Sequence, residues 1–463
     1  MTTKSKQWIH MVGIAGAGMS NIATVLVEQG HRVSGSDLQS NNITMKLQEI
    51  GIEVYQGHSS SNLKEGVDLL VSSSAIPQDN IEVKRAREKN IPVLKRGQML
   101  ANIVNDSKAI AVAGAHGKTT TTSMLYTVLD NCGLDPTFIL GGEMQDNGRG
   151  AKLGQGEFSI IEADESDGSF LDLSPYIAVV TNIEDDHLDY YKSLENIQKA
   201  FKLFVDEVKP DGFALLYNGD ASVAKIKAAT SSKIITYGEK ADCDYYMQDW
   251  QVAGKGSKFS VFFKGLYLGE VILSVPGKHN SLNALATMAT VHEIGLDFET
   301  AARVLGGFKG AKRRFEHVGQ FRDINIVDDY AHHPTEIKAT LEAARNYHPE
   351  GRIIAVFQPH RFSRTKMLGT QLGTAFIGVD KVIITDIYPA GEKPVPGVSG
   401  RMVYEAAINA GCDAEYLSSF PVIEKFILNC LKDNDLLITM GAGDIWKLGI
   451  SVLEKLQKNE AQA

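Results

Sequence analysis

The run AIAVAGAHGKTTTTSML at residues 109–125 gathers residues that could do chemistry between a β-branched stretch and a helix-like one. Gly114, Gly117, Lys118, Thr119 and Thr120 supply what a bound triphosphate needs. Glycines admit close backbone N–H groups, a helix N-terminus adds its dipole, Lys118 neutralises charge and Thr119 offers a hydroxyl to Mg²⁺. The match to the standard phosphate loop is imperfect, because that pattern wants glycine at 112 and this chain has Val112. The bland alternative is a glycine-rich turn with a chance Lys-Thr pair. The strand before it and the helix after it favour the phosphate loop.

A triphosphate site also needs hard oxygen ligands. FSIIEADESDGSF places Glu162, Asp164, Glu165 and Asp167 just beyond an apolar run. IAVVTNIEDDHLDYY does the same with Asp185, Asp186, His187 and Asp189. Loop carboxylates taken singly are usually only solvated. Two such clusters following a phosphate loop favour a metal role for the group, though not for each member, because α/β sheets bind ligands at the carboxyl ends of their strands.

A second glycine loop, HMVGIAGAGMSNIATVL, carries Gly13, Gly16 and Gly18 between a strand and a helix, and VSGSD ends in Asp37 after the next strand. This resembles a Rossmann-type unit in which glycines meet a diphosphate and the later acid meets a nucleotide sugar. The G-x-x-G-x-G spacing is a weak signal alone, and a dinucleotide site competes. In the last third stand VDDYAHHPTEI at 327–337, FQPHRFSRT at 357–365 and TMGAGDIW at 439–446. Arg361 and Arg364 could clamp a carboxylate bidentately. His332, His333 and His360 could orient a substrate or its amine. The His pair with Asp328 and Asp329 could instead form a transition-metal site. Arg313 and Arg314 are surface charges or, at a domain hinge, cations closing onto a γ-phosphate.

The elements that must position these residues are legible as short apolar runs alternating with helical stretches. Strands are predicted at Trp8–Gly13, His31–Ser34, Asp68–Ser72, Ala109–Ala113, Phe158–Glu162, Ile177–Thr181 and Phe213–Tyr217. A second set lies at Ile324–Val327, Arg352–Phe357, Lys381–Thr385 and Asp435–Thr439. Several are continuously apolar, as parallel strands buried on both faces are. The fold class is therefore α/β. Residues 241–276 read as antiparallel strands with glycine turns, expected as a small appended sheet. Polar NDSK near 105–108 and GGFKGAKRR near 306–314 mark breaks. They give three domains, at 1–107, 108–311 and 312–463, in line with 463 residues at ~150 per domain.

A net charge of −9 gives no basic field, so nucleic-acid binding is not favoured. The four cysteines fit no zinc spacing and read as reduced thiols. The N-terminus has no long apolar segment and no run approaches ~20 residues, so a cytoplasmic protein without membrane association is expected.

Taken together, GAHGKTT at 114–120, EADESDGSF at 162–170, TNIEDDHLDYY at 181–191, PGKHNSLNALA at 276–286, RRFE at 313–316, DDYAHHPTEI at 328–337 and PHRFSRT at 359–365 resemble the Mur ligases. GIAGAGMS, SSSAIP at 72–77 and IYPAGEKPVPGVSG at 387–400 extend the resemblance over nearly the whole chain. It implies a Rossmann-like N-terminal domain for a UDP-sugar, a central ATPase-type mixed sheet and a Rossmann-like C-terminal domain for an amino acid. It further implies ATP and Mg²⁺ as cofactors, with UDP-N-acetylmuramate and L-alanine joined through an acyl phosphate during peptidoglycan precursor synthesis. A monomer or homodimer is expected.

By matched position, the resemblance gives the nucleotide to Gly114, Ala115, His116, Gly117, Lys118, Thr119 and Thr120. Asn280 and Asn283 would lie on the adenine side with His279 nearby, Arg314 at the γ-phosphate and Asp329 at the ribose. Thr119 and Glu162 would hold one metal and His187 a second. Gly16, Gly18, Asp37 and Ser73 would meet the UDP-sugar. His332, His360, Arg361 and Arg364 would surround the alanine, with Lys118, His332, Arg361 and Arg364 in the catalytic role. Ala15 stands where a glycine is expected. Phe201, with Lys202 beside it, occupies the place at which several relatives carry a carbamylated lysine, so that modification is not expected. Three rivals remain: a relative attaching a preformed tripeptide to the same sugar, a dinucleotide oxidoreductase and a non-catalytic UDP-sugar sensor.

Overall fold

The structure, a computed structural model, describes residues 5–462; the side chains of Asp189 and of residues 460–462 lie outside the described set. Three sheets organise the chain. It divides into two compact units, Met1–Gln248 with Val261–Gly269 and Asn283–Leu305, and Asp249–Ser260 with Glu270–Leu282 and Gly306–Ala463.

The first sheet has five strands in the order Glu53–Gln56, Arg32–Asp37, Trp8–Val12, Leu69–Ser72, Val93–Lys95. All its pairings are parallel. Parallel strands need crossovers, and here helices such as Ala17–Glu28 and Ile81–Glu88 provide them.

In the second sheet, Lys108–Ala113 lies between Ile177–Val180 and Phe158–Glu162, parallel to both. That order sets three strand ends side by side, and the phosphate-loop candidate and both acidic clusters issue from them. Val112 is in register with Glu162 and Val179 and fully buried. The residue that departs from the standard glycine pattern thus belongs to the strand, and the loop proper begins at Gly114. Thr137–Ile139 and Ala151–Lys152 pair antiparallel, which makes the sheet mixed.

The segment expected as a small appended sheet extends this one directly. Tyr245–Ala253 joins Ile234–Gly238, and Gly256–Phe263 and Leu266–Leu273 follow in order, for ten strands in all. Two-residue connections make the last three strands hairpins, and their free backbone edges pair more cheaply with an existing sheet than alone.

The third sheet runs Glu316–Phe321, Ile324–Asp329, Asp435–Met440, Arg352–Phe357, Lys381–Ile384, Ala414–Tyr416. Only its first pairing is antiparallel. Strands such as RIIAVF and DLLITM are buried along almost their whole length, which explains their unbroken apolar character. Short edge strands, including Val93–Lys95 and Ala414–Tyr416, escaped the sequence pattern because their three residues carry no period. No helix among the described residues is long and apolar enough to cross a membrane.

Candidate active site

The helix Lys118–Asn131 opens with KTTTT, a β-branched run that disfavours helix. Burial compensates: Thr121 and Thr122 are fully buried, and Thr122 Oγ1 donates to the Lys118 carbonyl at 2.9 Å. The loop ahead of it needs its glycines. Gly114 has φ +139°, and a Cβ there would lie 2.1 Å from Thr181 Oγ1. Gly117, at φ +84°, would bring a Cβ to 2.6 Å from Asn283 Oδ1. Asn182 supports the same loop, its Oδ1 accepting from the His116 N–H and its amide donating back to the His116 carbonyl. The helix's first-turn N–H groups have no intrahelical acceptors, which is the arrangement that receives phosphate oxygens.

Lys118 Nζ donates to the carbonyls of Gly114 and Ala115 and to Glu165 Oε1 at 2.6 Å. Burial works against its charge, but Glu165, Glu162 and Asp164 outweigh burial and hold the ammonium above its ordinary range. Burial pushes the Glu165 carboxyl up to about 7, opposed by Lys118 and reinforced by Asp164. Thr119 Oγ1 lies 3.0 and 3.1 Å from the two Glu162 oxygens, and the Gly141 N–H donates to Glu162 at 2.9 Å. His187, in the left-handed region at φ +57°, sets Nε2 3.6 Å from Glu165 Oε1 and 3.5 Å from Asp186 Oδ2.

A cavity of about 270 Å³ joins this site to the N-terminal glycine loop. Its walls include Gly16, Gly18, Ser73, Arg96, Glu162 and Asp164. Asp37 does not line it; its carboxylate accepts from the Ala15 N–H at 3.0 Å and so fixes the glycine loop. Arg96 went unnoticed in the sequence, where it stands among ordinary basic residues. Its guanidinium donates to Asp164 at 2.8 Å and to Ser169 at 3.0 Å. Phe201 is buried against Phe170, and Lys202 pairs with Asp206 one helical turn away.

In the second unit the Arg313–Arg314 pair separates into two sets of contacts. Arg313 Nε donates to Asp328 at 3.0 Å, and its terminal nitrogens donate to the Gly443 and Gly441 carbonyls. It therefore staples the TMGAGD loop to the adjacent strand. Arg314 stands 3.6 Å from Glu336 and over the Tyr330 ring. Asp329 accepts from the N–H groups of Phe315 and Ala331, both at 2.8 Å, and burial pushes its carboxyl up to about 6 against the pull of Arg314. The transition-metal alternative does not assemble. Asp328 is held by Arg313 and Thr439, His333 caps the helix Pro334–Tyr347, and among the described residues these two acids and two histidines form no group at metal distance.

His332 Nδ1 faces two acceptors, the Tyr330 carbonyl at 3.0 Å and Glu336 at 3.2 Å, so it donates there and leaves Nε2 with the lone pair when neutral. His360 has the opposite tautomer. Arg364 can only donate, so Nδ1 of His360, 3.3 Å away, accepts and Nε2 carries the hydrogen. Burial first, then His332 and the arginines, push His360 down to about 3, so it is neutral near pH 7. The two rings meet edge to face at 5.8 Å. Arg361 sits at φ +68°, a strained conformation for a residue with a side chain, and its N–H donates to the Tyr388 carbonyl. Asn283 touches the phosphate loop, whereas the Asn280 amide donates to the Pro276 carbonyl at 2.6 Å.

A phosphate loop beside a hydroxyl–carboxylate pair, on a chain built of three α/β sheets, defines a nucleotide-dependent group-transfer enzyme. Family models match along its length: the Mur ligase family catalytic domain at residues 8–108, the Mur ligase middle domain at 112–291 and the Mur ligase glutamate ligase domain at 313–443. The chain belongs to the Mur ligase family. It is 59% identical over 456 residues to a UDP-N-acetylmuramate–L-alanine ligase from Syntrophomonas wolfei, covering 98% of each chain. The crystal structure of a UDP-N-acetylmuramate–alanine ligase from Thermotoga maritima matches with a TM-score of 0.84 at 30% identity, covering 98% of this chain and all of that one. A murein peptide ligase from Psychrobacter arcticus matches with a TM-score of 0.72 at 27% identity, over 97% and 98% of the two chains.

Proposed function

We infer that this protein is an ATP-dependent ligase joining L-alanine to the lactyl carboxylate of UDP-N-acetylmuramate, a step of peptidoglycan precursor synthesis. The similarity to alanine ligases over almost the whole chain supports the substrates. The observation that carries the chemistry is the cavity bringing Gly16, Gly18 and Ser73 to the same walls as Glu162, whose carboxylate meets Thr119. A UDP-sugar seated on the glycine loop thereby presents its carboxylate toward the phosphate loop.

In this scheme the carboxylate takes the γ-phosphoryl group of ATP to give an acyl phosphate. The amine of alanine attacks it, and phosphate leaves as the amide forms. Lys118 and the loop from Gly114 through Thr120 hold the phosphates, with Asn283 and Asn280 on the adenine side, Arg314 at the γ-phosphate and Asp329 at the ribose. His332 offers a lone pair to the ammonium of alanine, and Glu336 behind it stabilises the charge gained. His360 donates from Nε2, while Arg361 and Arg364 hold the amino acid's carboxylate. Positioning dominates, because an amine attacks an acyl phosphate readily once aligned.

The donors fit two Mg²⁺ ions: a hydroxyl from Thr119 beside the carboxylate of Glu162 would hold one, and the imidazole of His187 would hold a second. Bound there, the cations would offset the charge on the transferring phosphoryl group.

The deciding experiment is phosphate release from ATP and Mg²⁺, with UDP-N-acetylmuramate and L-alanine omitted in turn, beside Lys118→Ala. Release requiring both substrates and lost in the variant is expected. Release supported only by a tripeptide in place of alanine would mark a murein peptide ligase instead.

A further inference from the structure

Glu165 is the group that the phosphate-loop chemistry leaves unexplained. Its side chain is 4% exposed. One oxygen, Oε1, is shared between Lys118 Nζ at 2.6 Å and His187 Nε2 at 3.6 Å. The other, Oε2, is buried with no hydrogen-bond partner among the described residues. Leaving a buried carboxylate oxygen unpaired is costly, which points to a partner that arrives later. The backbone of the same residue is anchored, since Tyr191 Oη donates to the Glu165 carbonyl at 2.6 Å. The carboxylate is therefore held in place beside the imidazole.

We propose that Glu165 occupies Lys118 in the nucleotide-free protein and, once a nucleoside triphosphate takes over that ammonium, ligates the second divalent cation together with His187. This rests on the phosphate-loop reading above. The three hydrogens of the Lys118 ammonium are already directed at Gly114 O, Ala115 O and Glu165 Oε1. A phosphate oxygen can gain the ammonium only by displacing one of them, and the side-chain carboxylate is the acceptor outside the loop itself. A carboxylate left beside incoming phosphates is repelled unless a cation lies between them. Oε2 already lacks a partner, and Oε1 already faces His187, so the released group needs only a small rotation to serve both. Nucleotide and cation binding are then linked, each strengthening the other.

The test uses Mn²⁺ as the cation probe and the β,γ-imido analogue of ATP on the full-length protein. Analogue binding is first measured in EDTA by calorimetry, and Mn²⁺ binding to the analogue complex then by electron paramagnetic resonance. Glu165→Gln should bind the analogue severalfold more tightly without metal, because the lysine is released. It should bind Mn²⁺ at least about tenfold more weakly in the complex, since even outer partners of metal sites matter on that scale. Lys118→Ala, which frees Glu165 without nucleotide, should strengthen Mn²⁺ binding to the nucleotide-free protein, and adding Glu165→Gln should abolish that gain. Mn²⁺ affinity of Glu165→Gln within twofold of the parent's overturns the ligation. Unchanged metal-free analogue affinity overturns the occupancy of Lys118. Absence of analogue binding to the parent itself, with and without metal, sinks the phosphate-loop reading instead.

Discussion

Thr119 Oγ1 and the Glu162 carboxylate meet at 3.0 and 3.1 Å across a separation of 43 residues. The contact exists because Lys108–Ala113 and Phe158–Glu162 are parallel neighbours, so their carboxyl ends coincide. A hydroxyl and a carboxylate at that spacing form a cation site when the hydroxyl turns its lone pair outward. Thr119→Val keeps the shape and removes the oxygen. Ligation should fall about 100-fold, the scale on which one stabilising group acts, with folding preserved by circular dichroism. Wild-type turnover in Thr119→Val would exclude this pair from metal binding.

Gly117 tests the loop backbone. Alanine there must adopt φ +84° and press its Cβ to 2.6 Å from Asn283 Oδ1. Gly117→Ala should destabilise by about 1–3 kcal/mol in urea unfolding. Adding Asn283→Ala should recover only the contact portion, because the backbone strain remains. Full recovery would place the whole cost in the side-chain clash.

Arg361 carries the opposite expectation. At φ +68° it is strained where glycine is not. Arg361→Gly should raise or preserve the melting temperature, by up to the equivalent of about 1–3 kcal/mol, while ligation drops. A lower melting temperature would show that contacts of the guanidinium outweigh the strain.

Arg313→Lys separates the two adjacent arginines. Lysine cannot reproduce donation to Asp328, Gly441 and Gly443 together, and Asp328 is 2% exposed. A loss of about 3 kcal/mol is expected, close to that of breaking a buried pair. Arg314→Lys, measured beside it, should lose activity more than stability. Equal stability losses in the two variants would contradict the division.

The pH dependence has a definite sign. Burial first, then Arg314, pushes His279 down to about 4 from 6.5. Between those values the unfolded chain binds a proton that the folded protein does not, so stability falls as pH drops through the window. His360, pushed down to about 3, acts the same way. Asp329, pushed up to about 6, acts oppositely, its contribution being lost as pH rises from about 4. In His279→Gln the acid decline should shrink by about 2–3 kcal/mol between pH 7 and 4. Parallel urea-derived stability curves for parent and variant would refute the assignment.

Much of the architecture was legible in the chain. Buried parallel strands demand continuous apolar runs, and Phe158–Glu162, Phe213–Tyr217 and Arg352–Phe357 were bounded from that pattern alone. The glycines at 114 and 117, with Lys118 and Thr119, announced a phosphate loop because positive φ and close approach restrict residue type. Glu162 and His187 were marked by their position just beyond apolar strands.

Tertiary structure decided the rest, because long-range pairing leaves no local trace. Whether Val112 belongs to loop or strand depends on its register with Glu162. Arg96 joins the cavity only when its helix packs near Asp164, and its neighbours in sequence resemble any basic surface. Adjacent in the chain, Arg313 and Arg314 diverge because one guanidinium reaches strand and loop carbonyls while the other turns to Glu336. Glu165 differs from the other acids of its cluster only in being sealed against Lys118 and His187. Residue type, glycine placement and apolar period were properties of the sequence; which charges share a cavity was settled by the order of strands in the sheets.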